Sequence, residues 1–103
     1  MTDGQNARAA WLEACDEDDV QFLKRFLLAS GSLKDLAAEY GISYPTVRGR
    51  LDRLIAKVKE AERTADWDPF ERLVRLMVVD LKLAPATAKQ LLAAHKAAKS
   101  ERA

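Results

Sequence analysis

Apolar residues recur along this chain at spacings of three and four, and no stretch keeps the strict alternation of a strand. Val20, Leu23, Phe26 and Leu27 fall on one helical face. Ser30-Gly31-Ser32 then breaks the pattern, with Gly31 suited to a left-handed cap and Ser32 to the N-cap of a second helix. Residues 33–40 read as that short helix, with Leu36, Ala37 and Tyr40 on one side. Gly41 ends it, Ile42 plugs the corner, and Ser43 caps the next helix. That third helix starts at Tyr44 and has Pro45 in its first turn, where the missing N–H costs nothing. Its predicted buried stripe is Val47, Leu51, Leu54, Ile55 and Val58, and it ends near residues 63–65.

Two flanking regions complete the pattern. Residues 7–15 predict a short helix around Trp11 and Leu12, followed by the acidic run Asp16-Glu17-Asp18-Asp19, which suits the positive end of the next helix. Downstream, Asp68 caps a helix with Pro69 first and Glu71 three residues after the cap. This helix is expected to run to residue 83, with Phe70, Leu73, Val74, Met77 and Leu81 on one face. Leu76, Val78 and Val79 widen that face beyond what one side of a small domain needs. Pro85 opens a last helix with Ala88, Leu91, Leu92 and His95 in line, and residues 96–103 are expected to fray.

The expected fold is therefore all-α: a trihelical helix-turn-helix followed by a C-terminal helical hairpin. The boundaries are an N-terminal segment 1–18, partly flexible, a helix-turn-helix region 19–65, and a hairpin 66–103 for packing or dimerisation. A length of 103 residues fits one domain, and 49% hydrophobic with 32% charged residues excludes a disordered tail. One cysteine (Cys15) and one histidine (His95) leave no disulfide framework, no zinc cluster and no His-based triad. No Gly-rich phosphate loop or activated nucleophile is visible, so the reading is of a non-enzyme without cofactor or metal. No export or membrane signal is visible, which points to the cytoplasm.

Charge is uneven. Residues 1–40 carry four Lys/Arg against eight Asp/Glu, residues 41–65 six against three, and residues 66–103 seven against five. The basic middle coincides with the third helix, where a basic face can meet phosphates.

Residues 33–54, LKDLAAEYGISYPTVRGRLDRL, follow the helix-turn-helix plan. Ala37 is small enough for a close helix crossing, and Gly41 redirects the chain. The run Leu36-Ala37-x-x-Tyr40-Gly41-Ile42-Ser43-x-x-Thr46-Val47-x-x-x-Leu51 resembles the helix-turn-helix of sigma-factor region four and of related bacterial response regulators. More narrowly, Ser43-Tyr44-Pro45-Thr46-Val47-Arg48 with Arg50-Leu51-Asp52 resembles a bacterial family, domain of unknown function 2089, from near Asp19 into the C-terminal helices. Members of that family are described as a zinc ribbon followed by this motif. This chain has no zinc-ribbon cysteines, so metal binding is not carried over.

The resemblance implies a sequence-specific DNA-binding protein, a small bacterial transcriptional regulator. Its third helix would lie in the major groove of double-stranded DNA. Tyr44, Pro45, Arg48, Gly49 and Asp52 then face the groove. Arg48 is the candidate for base readout, since a guanidinium binds guanine O6 and N7 together. Gly49 allows close backbone approach. Ser43 and Thr46 stand at the helix start, where hydroxyls and free N–H groups suit a phosphate. Arg50, Arg53, Lys57 and Lys34 are candidate phosphate contacts, with Arg50 alternatively pairing with Asp52 or Glu39. Further partners consistent with the pattern are a second copy, forming a homodimer, and the transcription machinery. The competing reading is a helical protein-interaction adaptor without direct DNA binding.

Overall fold

A computed structural model describes residues 9–102 of the chain. Residues 1–8 of the 1–18 segment expected to be partly flexible, and the final residue, lie outside the described residues. Six helices and no strand occur among the described residues: α1 (Ala10–Ala14), α2 (Glu17–Leu28), α3 (Leu33–Tyr40), α4 (Tyr44–Arg63), α5 (Pro69–Val79) and α6 (Pro85–Arg102).

Local chemistry sets most of the boundaries. The Asp16 carboxylate accepts from the Asp19 N–H at 2.9 Å, while the Asp19 carboxylate accepts from the Asp16 N–H at 3.0 Å. This reciprocal box starts α2. Ser32 accepts from the Asp35 N–H at 3.1 Å to start α3. Gly31 and Gly41 take φ of +77° and +70°, the left-handed conformation that costs glycine least. Asp68 Oδ2 accepts from the Phe70 and Glu71 N–H groups, both at 3.1 Å, and starts α5.

Two boundaries differ from the sequence expectation. α5 stops at Val79 rather than residue 83, because Leu81 turns into the left-handed region at φ +61°. The Lys82 N–H then reaches back to the Met77 carbonyl at 2.8 Å, closing the helix. α6 continues to Arg102 rather than fraying from residue 96, consistent with the helix propensity of its Ala- and Lys-rich sequence.

The core sits between α2, α3 and α4. Phe22, Leu33, Leu36, Ala37, Val47 and Leu54 are buried there, with Leu23, Phe26, Tyr40, Leu51 and Val58 packed around them. Two residues expected inside are not. Ile42 is 44% exposed and does not fill the corner, and Ile55 lies on the open side of α4. Lys57, expected outside, takes a buried position on α4 instead.

α1 packs against α4, and Cys15 at its end reaches the core cluster. Arg72 of α5 ties the two together, donating from one guanidinium nitrogen to the Ala10 carbonyl at 2.9 Å and the Ala61 carbonyl at 3.4 Å. α5 packs on the second half of α4, and α6 folds back on α5. Among the described residues no helix is long and apolar enough to cross a membrane.

Candidate nucleic-acid interface

The candidate face is the first half of α4. Ser43 caps the helix, accepting from the Thr46 N–H at 3.3 Å, and the two hydroxyls lie 2.8 Å apart. Ser43, Tyr44, Pro45, Thr46, Arg48, Gly49, Asp52 and Arg53 are all exposed, whereas Val47 and Leu54 are buried beneath them. The helix is thus anchored by one side and free on the other. Lys34, in the first turn of α3, is also exposed.

Arg48 and Asp52 form an exposed i,i+4 pair at 3.2 Å. Such a pair is worth only about 0.3–0.5 kcal/mol, so it orients the guanidinium without locking it away. Around Gly49 an added Cβ would meet nothing within 4 Å. The glycine is therefore not required by packing inside the chain.

The remaining two basic candidates are used differently. Arg50 is half-buried; it donates to the Asp18 carbonyl at 3.1 Å and lies over the Phe22 ring, 4.9 Å from its centroid. It braces α4 against α2, in neither of the pairings expected for it. Asp52 is taken by Arg48 and Glu39 by Arg25, at 3.0 Å. Lys57 leaves the phosphate-contact set altogether. It is 4% exposed, and its amine donates to Asp19 Oδ2 at 2.6 Å and Asp80 Oδ2 at 3.2 Å. Burial pulls its pKa down, but the two carboxylates outweigh burial and hold the amine above its ordinary value. The charge of Lys57 is spent inside the fold, joining α2, α4 and the end of α5.

Sequence reasoning missed this junction because its partners lie 38 and 23 residues away. It also missed Asp18 and Phe22 as the seat of Arg50. An acidic run of four residues was the available signal, and its helix-capping role accounted for it locally.

The cysteine and histidine also find places. Burial, then the nearby Asp19 carboxylate, push the Cys15 thiol up, so it stays protonated rather than reactive. His95 Nε2 lies 2.9 Å from Asp68 Oδ2 and its ring 4.5 Å from that of Phe70. Asp68, Glu71 and His95 bring three potential metal ligands within 4.8 Å of one another. The Asp68 carboxylate already serves as the cap of α5 and the partner of His95, with Lys99 3.6 Å away. A cation there would compete with those contacts at the positive end of a helix. The cluster clasps α6 to α5.

Residues 15–61 match a family model described as "Domain of unknown function (DUF2089)-HTH". The match ends inside α4, short of the hairpin into which the sequence resemblance extended. No curated protein and no solved structure matches the chain. The matched segment begins at the turn before the α2 capping box and ends at buried Ala61, taking in α2, α3 and nearly all of α4. Its short α3, left-handed Gly41 turn and long α4 have the helix-turn-helix form that the matched model's description names.

Proposed function

We propose that this protein is a sequence-specific DNA-binding protein, a small transcriptional regulator that lays the first half of α4 in the major groove. It acts by occupying a site and not by chemistry on a substrate. The observation that carries the reading is the two-sidedness of α4. Val47 and Leu54 fix it on the core, while Tyr44, Pro45, Arg48, Gly49 and Arg53 stand free. A major groove admits a helix presented in this way.

Roles divide by reach. Arg48 reads a base edge once it gives up Asp52. Arg53 and Lys34 contact phosphates, and the capped start of α4 offers N–H groups to one more. Arg50 contributes by fixing the angle of α4 on α2.

Selection from random duplex DNA with the purified chain, followed by a salt series on the recovered site, tests this. A recovered motif is expected, with affinity falling steeply between about 50 and 200 mM salt. Arg48→Ala should relax base preference at a cost of about 1–3 kcal/mol, and Arg53→Ala should weaken all sequences alike. Gly49→Ala should stabilise the free helix by about 0.5–1 kcal/mol yet lower DNA affinity, because only a close-lying duplex would meet the new methyl group. No enrichment and no salt dependence would leave the adaptor reading in its place.

A further inference from the structure

Asp52 is the one acid among residues 41–59, where it stands with five Lys/Arg. It lies on the exposed side of α4, one turn beyond Arg48, in the half of the helix that enters the groove in the proposed docking. Phosphates repel a carboxylate there, so it lowers affinity for duplex DNA of any sequence.

Little in the fold calls for it. Asp16 and Asp68 cap helices, and Asp19 and Asp80 hold Lys57. Asp52 caps no helix and joins no two helices. Among the described residues it meets one cation, Arg48, whose Nε lies 3.2 Å from Oδ1, with both side chains more than half exposed. An i,i+4 pair with the cation N-terminal to the acid is the weaker order. Aspartate is also a poor helix former away from the first turn. Neither packing nor helix stability therefore accounts for a carboxylate at this position.

A base edge does. When Arg48 turns to a guanine, Asp52 loses its cation and faces the groove as a bare acceptor. Guanine N7 and O6 and thymine O4 are acceptors too and repel it. Adenine offers its N6 amine with the N7 acceptor beside it, whereas cytosine offers its N4 amine with no acceptor alongside. One helical turn advances about 6 Å. Base pairs stack about 3.4 Å apart, so the two side chains address pairs no more than about two steps from each other.

We infer, resting on the DNA-binding reading, that Asp52 is a specificity-determining residue: it accepts from the N4 amine of a cytosine one or two base pairs from the guanine that Arg48 reads. The preferred site then holds two G·C pairs at a fixed short spacing. Binding exchanges one exposed contact within the chain for two contacts to bases. A duplex that lacks either base leaves a charge unpaired in the groove, which rejects it.

Selection from random duplex DNA with the parent chain, Asp52→Ala and Asp52→Asn in parallel tests this. All three should give the same helical far-ultraviolet circular dichroism, since Asp52 is exposed. The parent motif is expected to hold a guanine and, within about two base pairs, a cytosine belonging to a different pair. Asp52→Ala should keep the guanine, lose at least about fivefold of the preference for that cytosine, and bind random duplex more tightly. Asp52→Asn should exchange the cytosine for adenine, because a carboxamide matches adenine N6 and N7 together. A residue that only stabilises α4 would shift affinity evenly and leave the motif alone. A motif unchanged in both variants, or a parent motif without that cytosine, overturns the inference while the DNA-binding reading stands. No enrichment by any of the three chains overturns both.

Discussion

The trihelical unit α2–α4 and the hairpin α5–α6 are built from similar helices, yet they handle apolar surface differently. In the first, Phe22, Leu36 and Val47 are fully buried between three helices. In the second, two helices lie side by side, and two cylinders can cover only one strip of each other. Val74 and Leu76 find cover against the rest of the fold, while Leu73 and Leu91 do not. A closed core thus leaves the outer side of α4 polar and exposed, whereas the open hairpin leaves apolar surface uncovered.

Substitutions can break this contrast in order of size. Phe22→Ala should cost about 3–5 kcal/mol in urea unfolding, the range for removing a buried aromatic ring. It also removes the platform under Arg50, so DNA affinity should fall with it. If the loss is under about 1 kcal/mol, the trihelical core is not the stable half.

Lys57→Met comes next. It leaves Asp19 without its cation and Asp80 with only the exposed Lys82 at 3.2 Å, at about 3 kcal/mol, the low end for breaking a buried pair because both carboxylates keep a solvent edge. Thermal unfolding should lose cooperativity between the two halves, because this amine joins them. A variant as stable as the parent would show the halves to be independent.

A pH series gives a smaller effect. Backbone N–H donors hold the Asp16 and Asp68 carboxyls below their ordinary range. A depressed carboxyl contributes its stability above the unfolded value, about 3.9, and loses it as pH falls through the lower native value. Melting temperature should therefore be level from about pH 7 to about 5 and drop below about 4. Asp68→Asn keeps a cap and should shrink that drop. On the alkaline side the raised Lys57 amine works in reverse: its contribution holds below its ordinary 10.5 and fades as pH rises through the higher native value.

Smallest is Leu73→Ser. It should change stability by no more than about 0.5 kcal/mol, as for an exposed site. A large loss there would mean the hairpin face is covered within one chain.

The legible part of this protein was the part whose causes are local. Asp16, Ser32, Ser43 and Asp68 each cap a helix through a backbone N–H two or three residues on, and Gly41 supplies its turn by its own φ. These need no distant partner, so helix order, the turn and the exposed arginine at position 48 could be read directly. Lys57, Arg50, Ile42 and Leu81 depended on what arrives from elsewhere. Periodicity puts Lys57 on the edge of the α4 stripe, and only the approach of Asp19 and Asp80 turns that edge inward. Arg50 looks like its neighbours until Phe22 and Asp18 come beneath it. The order of residues was enough to set the helices and the motif, through contacts within one turn. Which cations stay free for a partner was settled by the packing of distant segments, because a charge is claimed by whichever opposite charge the fold brings within reach.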